Sequence, residues 1–169
     1  MKKVYVLPSV IIAAILVLLG VFSVSALTNN DVPLIAPNNL SVESLLSQTN
    51  SERVKLKIKA LSLSEALNIS AQEKASEMHD MNYFDHTNPQ TGKESGLDAI
   101  EGLSIKCVYI GENLVDAKDA NDAIAQWLNS KSHREAMLDS KYDLTGFGIS
   151  QDPNNKTRHF VVQHFCDLK

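Results

Sequence analysis

Apolar residues recur at helical spacing between positions 64 and 81 of the chain. The residues in this pattern are Leu67, Ala71, Ala75, Met78 and Met81. Because side chains three or four positions apart share one face of a helix, the pattern predicts an amphipathic helix that buries this face. We interpret Lys74 and Glu77 as lying off the apolar face and expect them in solvent. Two capping boxes, which begin at Ser62 and Ser70, compete for the start of the helix.

Three shorter helices are predicted by the same kind of pattern. Apolar residues from Val42 onward predict the first helix of the domain, and the stretch 120–129 predicts another, which carries the only tryptophan, Trp127. A further helix is expected to start at Ser132, which begins a capping-box pattern. His133 would then occupy the first helical position, where the positive end of the helix dipole disfavours the imidazolium form.

Strands are predicted in the second half of the chain. The stretch 105–110 predicts a short strand, and the stretches 142–150 and 158–166 predict longer ones, separated by a turn at Asp152-Pro153-Asn154. Because helices and strands are interspersed, and the last two strands can form a hairpin, we expect an α+β fold. In this fold a sheet lies between layers of helices, unlike a parallel doubly wound sheet.

Residues 1–26 have the pattern of an export signal. Lys2 and Lys3 precede a long apolar run, and Val24-Ser25-Ala26 supplies the small residues of a cleavage site. The uncharged stretch 4–27 is also long enough to span a bilayer, so a cleaved signal peptide and a retained N-terminal membrane anchor both stay open. In either case we expect the rest of the chain outside the cell, secreted or anchored to the outer face of the membrane.

The segment 27–40 is rich in Pro and Asn, which is typical of a linker, so one domain is expected over residues 41–169. Removal of residues 1–26 takes away two lysines and no acidic residue, so the net charge of −4 becomes −6. A negatively charged domain without clustered Lys and Arg excludes nucleic acid as a partner and excludes a polybasic membrane patch. Any membrane contact is therefore expected through the N-terminal segment alone.

Cys107 and Cys166 are the only two cysteines. In an exported protein an even pair is most simply a disulfide. In the chain-entropy model a closed loop of about 60 residues stabilises the fold by about 4 kcal/mol. Two unpaired structural thiols are the alternative. A zinc pair is disfavoured, because neither cysteine has a second Cys or His at zinc-finger spacing.

Polar residues able to carry chemistry lie in three short stretches. His86 follows an aromatic pair that we expect to anchor its loop, Glu112 lies in an apparent turn, Gly111-Glu112-Asn113, and His133 follows the helix of Trp127. Two imidazoles and a carboxylate can bind a divalent cation such as zinc with one position open. Each residue also has a simpler interpretation. His86 would be a surface histidine, Glu112 a solvated glutamate, and His133 a histidine bonded to a loop carbonyl.

Taken together, these stretches resemble a known family. The motifs, in chain order, are AQEKASEMHDMNYFDHTNPQTGK, GENL, AIAQWLNSKSHREAML with YDLTGFG, and HFVVQHF. They resemble the CAP superfamily of cysteine-rich secretory proteins, antigen 5 and pathogenesis-related 1 proteins, also called the SCP domain. The resemblance is closest to the single-domain bacterial secreted branch and covers roughly residues 45–167.

The resemblance implies a three-layer α–β–α sandwich with a surface cleft. The positions that line the cleft in the family match His86, Glu112 and His133 in this chain. Animal and plant members have a second glutamate where this chain has Ser130, so the acidic tetrad of the family is incomplete here. Ala136 stands where related bacterial domains usually have asparagine.

Two functions are compatible with such a cleft. The one we favour is an extracellular binding module for a lipid, a sterol, a glycan or an extracellular protein, in which His86, Glu112 and His133 form a hydrogen-bonded network that shapes the cleft. The alternative is a weak hydrolase in which the same side chains hold a divalent cation that activates water. No serine is expected to be a nucleophile, since Ser132 is interpreted as a helix cap. The remaining histidines, His79, His159 and His164, are not expected to be ligands.

Overall fold

The computed structural model describes residues 39–94, 100 and 105–168. The predicted export signal and nearly all of the predicted linker lie outside the described residues, so the expectations for them stay predictions. Among the described residues, no helix is long and apolar enough to cross a membrane.

The described residues form four helices and four strands that are interspersed along the chain. The helices are α1 Val42–Lys55, α2 Glu65–Asp80, α3 Ala120–Asn129 and α4 Lys131–Met137. The strands are β1 Ser62–Leu63, β2 Tyr109–Ala117, β3 Leu144–Gln151 and β4 His159–Asp167.

The strands form one sheet in the order β1-β3-β4-β2. β1 pairs with β3 in parallel, while β4 pairs antiparallel with both β3 and β2. Side chains of β4 alternate between the two faces of the sheet, as the period of a strand requires. Val161 and Phe165 join the core under α1, α3 and α4, and Phe160 and Val162 join the core under α2. Helices therefore cover both faces, and the predicted α+β, three-layer α–β–α fold is confirmed.

Helix α2 packs against β3 at very close range. A Cβ atom at Gly146 or Gly148 would collide with the backbone of α2, so only glycine allows this approach. The side chain of Asn68 accepts a hydrogen bond from the Phe147 N–H at 2.9 Å. Gln72 accepts from the Ile149 N–H and donates to the Ile149 carbonyl, both at 3.0 Å. Side chains of α2 thus supply hydrogen-bond partners for the backbone of β3 where its edge extends beyond the short strand β1.

The predicted apolar face of α2 is buried, with Leu67, Ala71, Ala75 and Met78 inaccessible to solvent. Met81 follows the helix and is exposed. Neither predicted capping box forms, because Ser64 is the N-cap and its side chain accepts from the Leu67 N–H at 3.4 Å. The expectation that Lys74 lies in solvent is wrong, since Lys74 is fully buried. Its position matches the spacing of Leu67, Ala71 and Met78, and only its charge argued for the surface.

Two boundaries differ from those predicted. The strand expected over 105–110 begins at Tyr109 and extends to Ala117, so the Gly111-Glu112-Asn113 motif lies in a strand, not in a turn. Helix α4 begins at Lys131 with Ser130 as its N-cap, and the Ser130 side chain accepts no capping hydrogen bond from the helix backbone. Ser132 is therefore not the cap. His133 is the third helical residue, not the first.

Cys107 and Cys166 form a disulfide, which confirms the predicted pair. Cys166 is a β4 residue paired across the sheet with Ile110 of β2. The disulfide therefore links the residue Cys107, just before β2, to the neighbouring strand β4. This contact holds the start of β2, which carries the candidate site described next.

Candidate functional site

Strand β2 organises the site because adjacent residues of a strand point to opposite faces. Glu112 extends to the face covered by α2, and Asn113 extends to the face covered by α4. A Cβ at Gly111 would collide with the hydroxyl end of the Tyr142 side chain. The three residues of the Gly-Glu-Asn motif thus have three different structural roles on one strand.

On the α2 face, Glu112 is bound by two imidazoles. Its Oε1 atom lies 2.6 Å from Nδ1 of His86, and its Oε2 atom lies 2.9 Å from Nε2 of His164. The Glu112 side chain is only 4% exposed. Burial by itself raises the pKa of the carboxyl, but the hydrogen bonds from His164 and His86 outweigh it and lower the pKa to about 2. Glu112 is therefore a carboxylate throughout the physiological range.

The two histidines differ in exposure. Because an ionised carboxylate only accepts hydrogen bonds, Nδ1 of His86 and Nε2 of His164 must both carry protons. The His86 side chain is 49% exposed, and its ring makes no other hydrogen bond among the described residues. The hydrogen bond to Glu112 raises the pKa of His86, although burial opposes this. The Nε2 atom of His86 is thus the part of this cluster available to a ligand.

His164 is the site residue that sequence reasoning missed. It is fully buried on the central strand β4, and its Nδ1 lies 2.8 Å from Oγ of Ser70 on α2. The sequence did contain a signal, since His164 alternates with Phe160 and Val162 on one face of a strongly apolar strand. A histidine in that position must find hydrogen-bond partners inside the protein.

Ser70, His164 and Glu112 have the residue types of a hydrolase relay, but the arrangement does not suit nucleophilic attack. Ser70 is inaccessible to solvent, and its hydroxyl also donates to the carbonyl of Leu67 at 3.1 Å. A nucleophile has to reach the substrate. This chain of hydrogen bonds therefore orients Glu112 and holds α2 against the sheet.

On the other face of β2, the backbone of His133 is held by Asn113. The fully buried Asn113 donates from Nδ2 to the His133 carbonyl at 3.0 Å. Burial lowers the pKa of His133, and the positive charge of His86 lowers it further. The imidazole of His133 is consequently neutral at pH 7 and makes no hydrogen bond within the described parts of the chain.

A cavity of about 360 Å³ lies beside His133 along β2. Its walls combine apolar, polar and charged side chains; they are Phe84, Leu114, Val115, Asp116, Gln126, Ser130, His133 and Arg158. We call this cavity the β2 cleft. Neither His86 nor Glu112 is part of its wall, although Phe84 brings the loop of His86 to its rim.

Hydrogen bonds and ion pairs fix the walls of the β2 cleft. Nε1 of Trp127 donates to the Leu114 carbonyl at 3.2 Å, which attaches α3 to the edge of β2. Arg158 pairs with Asp116 at 2.8 Å and with Asp122 at 3.6 Å. The ring of Phe84 is 45% exposed and lies 5.2 Å from the ring of Phe160. The cleft therefore offers a fixed polar floor beside an exposed aromatic ring.

The model of the Cysteine-rich secretory protein family, CAP, matches residues 46–165. The chain belongs to this family. The protein YkwD of Bacillus subtilis (strain 168) is 32% identical over 129 residues, which cover 75% of this chain and 49% of YkwD. The membrane protein YlbC of the same organism is 31% identical over 122 residues, which cover 72% of this chain and 34% of YlbC. The chain thus matches half or less of the length of these relatives.

Solved structures show the same CAP fold. An extracellular protein of Bacillus anthracis that contains an SCP domain is 24% identical, with a TM-score of 0.64 over 74% of this chain and 39% of that one. An outer surface protein of Borrelia burgdorferi is 24% identical, with a TM-score of 0.66 over 75% of this chain and 92% of that one. Similar CAP proteins therefore include extracellular and outer-surface proteins.

The predicted cation site of His86, Glu112 and His133 stays a prediction. Both oxygens of Glu112 accept hydrogen bonds from imidazoles, as do carboxylates that orient metal-ligating histidines. The Nε2 atom of His86 and the neutral ring of His133 make no hydrogen bond among the described residues. Within the described residues, no three Asp, Glu, Cys or His side chains converge on a common point suitable for a metal ion.

A larger cavity, of about 470 Å³, lies between α1, α2 and β3 and shares no residue with this site. Its walls include Val42, Ile69 and Phe147, together with Glu65 and Glu73. It contains no histidine and none of the three predicted site residues, His86, Glu112 and His133. We therefore assign the candidate function to the β2 cleft.

Proposed function

We propose that this CAP domain is an extracellular ligand-binding module that uses the β2 cleft and the exposed edge of His86. In this proposal the Ser70–His164–Glu112–His86 chain is a rigid support and carries out no bond-making step. His133 and the neighbouring cleft walls contact the ligand.

The proposal depends on the ionisation and the hydrogen bonds of Glu112. A carboxylate with a pKa of about 2 is a poor general base at neutral pH, because an efficient base has a pKa near the working pH. Both of its oxygens are occupied, and its side chain is nearly inaccessible. These properties suit a fixed charge that positions two histidines, which is what a preformed binding site needs.

The walls of the cleft indicate a ligand with both an apolar face and a polar group. Phe84 and Leu114 supply apolar surface, while His133, Gln126 and Arg158 supply donors and acceptors. Lipids, sterols and glycans all combine these features, and so does a side chain of an extracellular protein. The ligand therefore comes from one of these classes.

The location outside the cell follows from the N-terminal pattern and agrees with the extracellular and outer-surface proteins among its structural neighbours. Residues 1–26 act as a cleaved signal peptide, or the stretch 4–27 stays as an anchor. Intact-mass analysis of the exported protein distinguishes the two, since cleavage after Ala26 removes the entire apolar stretch except Leu27.

Direct binding tests the proposal. Residues 27–169 are titrated with phospholipid vesicles, a sterol series and a glycan array, and an extracellular extract is cross-linked to find a protein partner. The Phe84→Ser variant should lose most of the binding, whereas Leu56→Ser, a matched change of an exposed apolar residue on another surface, should keep it. Equal binding by the wild type and by Phe84→Ser would remove the β2 cleft as the site.

The orientation of His86 favours one alternative, a weak hydrolase that depends on a divalent cation. Glu112 holds Nδ1 of His86, as carboxylates hold metal-ligating histidines, so Nε2 of His86 and the ring of His133 would hold the cation. The cation would activate a water molecule when bound. Zinc calorimetry on the wild type and on His86→Ala and His133→Ala tests this function. Micromolar binding that both variants lose supports it, and no binding by the folded wild type excludes it.

A further inference from the structure

Helix α2 carries a lysine that is completely inaccessible to solvent. Lys74 is 0% exposed, and it lies at helical spacing with the buried residues Ala71 and Met78. Removing an ammonium group from water is costly unless other groups compensate for it. An apolar side chain of similar size would pack at this position without that cost, so the lysine calls for an explanation beyond packing.

The ammonium group of Lys74 reaches the loop that carries His86. Its Nζ atom donates to the His86 carbonyl at 2.7 Å and to the Tyr83 hydroxyl at 3.1 Å. It also lies over the Tyr83 ring, 5.0 Å from the centroid. Lys74 therefore contacts the same loop at two points, one of them the backbone of His86 itself.

The other end of this loop is also fastened to α2. The Tyr83 hydroxyl donates to Oε2 of Glu77 at 2.8 Å, and the amide of Asn88 donates to Oε1 of the same carboxylate. Glu77 and Lys74 are three residues apart, so they act from one side of the helix. The loop from Tyr83 to Asn88 is thus held by one buried cation and one carboxylate.

Burial lowers the pKa of Lys74, and negative charges near its ammonium group offset part of that cost. The carboxylates that act on its ammonium group are Glu112, Glu77, Asp85 and Glu94. Glu112 is the same carboxylate that bonds to the His86 ring. The backbone and the ring of His86 are therefore held by two oppositely charged groups that also attract each other.

We propose that Lys74 is a positioning residue for His86: its hydrogen bond to the His86 carbonyl sets the backbone so that Nδ1 of the ring meets Glu112 and Nε2 stays available to a ligand. The effect on binding rests on the proposed function, but the positioning itself does not. An apolar residue at position 74 would fill the core and leave the His86 carbonyl without this donor.

Nuclear magnetic resonance on the ligand-free protein tests the inference. In the wild type we expect a scalar coupling between Nζ of Lys74 and the carbonyl carbon of His86, and a slowly exchanging Nδ1–H on His86. Lys74→Met keeps a chain of similar length without the donor, and Lys74→Arg keeps a donor. At one fixed pH, Lys74→Met should shift both ring nitrogens of His86 and lose the protected Nδ1–H, and Lys74→Arg should restore them in part.

Lys93→Met, at an exposed lysine, is the matched control and should leave the His86 signals unchanged. Unchanged ring signals in folded Lys74→Met would overturn the inference. If Lys74→Met does not fold, absence of the wild-type coupling overturns it just as clearly. With a ligand in hand, Lys74→Met should bind it roughly tenfold more weakly, the loss of about one charged hydrogen bond. Failure to find any ligand leaves the resonance results standing, so the two proposals can fail separately.

Discussion

The two faces of strand β2 are built differently. On the α2 face, Glu112 is buried and both of its oxygens are bonded, and the chain of bonds continues through His164 to Ser70. On the α4 face, Asn113 holds only the backbone of His133, and the imidazole of His133 is left to the cleft. The α2 face of this strand thus carries a support, and the β2 cleft beside His133 belongs to the proposed recognition surface. Changes on the first face should alter stability, and changes on the second should alter binding.

The largest expected effect is the loss of the Glu112 carboxylate. Glu112→Ala leaves the buried His164 without its acceptor, and we expect the free energy of unfolding to fall by about 4 kcal/mol. Urea unfolding measures it. Glu135→Ala, at an exposed position on α4, should change stability by less than about 0.5 kcal/mol. A similar small change for both variants would contradict the division between the faces.

The hydrogen bonds of Glu112 should also make the stability of the fold depend on pH. The pKa of Glu112 falls from 4.5 to about 2 on folding, so its contribution is fully present above pH 4.5 and is lost as the pH falls toward 2. The shift corresponds to about 3 kcal/mol. The raised pKa of His86 acts in the opposite sense, since its contribution is present below pH 6.5 and is lost as the pH rises through the raised value.

Stability measured from pH 2 to pH 9 therefore should rise, reach a plateau and decline again. Glu112→Gln should flatten both slopes, because it removes the carboxylate that causes both shifts. Slopes that persist in Glu112→Gln would assign the pH dependence to other groups.

Asn113→Ala should have a smaller effect on stability and a clear effect on the cleft. The variant loses one hydrogen bond, to the His133 carbonyl, which costs about 1 kcal/mol. Because that bond sets the position of α4, ligand affinity should fall together with stability. Calorimetric unfolding and a binding titration on the same sample would show whether the two changes occur together.

The smallest effect on stability should come from His133→Ala. The imidazole makes no hydrogen bond within the described parts of the chain, so we expect a change below about 0.5 kcal/mol. Ligand binding should nevertheless be lost, whereas His79→Ala, at a histidine outside the cleft, should bind normally. If His133→Ala destabilised the protein as much as Glu112→Ala, both faces would be structural supports.

Local patterns predicted much of the fold. The apolar spacing of Leu67, Ala71, Ala75 and Met78 identified the buried face of α2, and an even number of cysteines behind an expected export signal identified the disulfide. Capping patterns were less reliable, because Ser64, not Ser62 or Ser70, caps α2. Several serines near a helix start satisfy the same pattern, and only the geometry of the chain chooses among them.

The site was predicted only in part, and its role as a binding site stays a prediction. Motif resemblance pointed to His86, Glu112 and His133; the structure places the first two in direct contact, and Asn113 holds the backbone of the third from the opposite face of β2. His164 and Lys74 were not predicted. Both are polar residues in buried positions, and what makes such burial tolerable is a partner far away in the chain.

The sequence by itself determined the periodicities, the cysteine pair and the family motifs, because each depends on residues close together in the chain or on their types alone. The tertiary structure decided which polar residues are buried and what they bind. Lys74 and His164 can lose water only because the His86 carbonyl and the Glu112 carboxylate replace it. Those contacts exist only after α2, the His86 loop and the sheet have packed together.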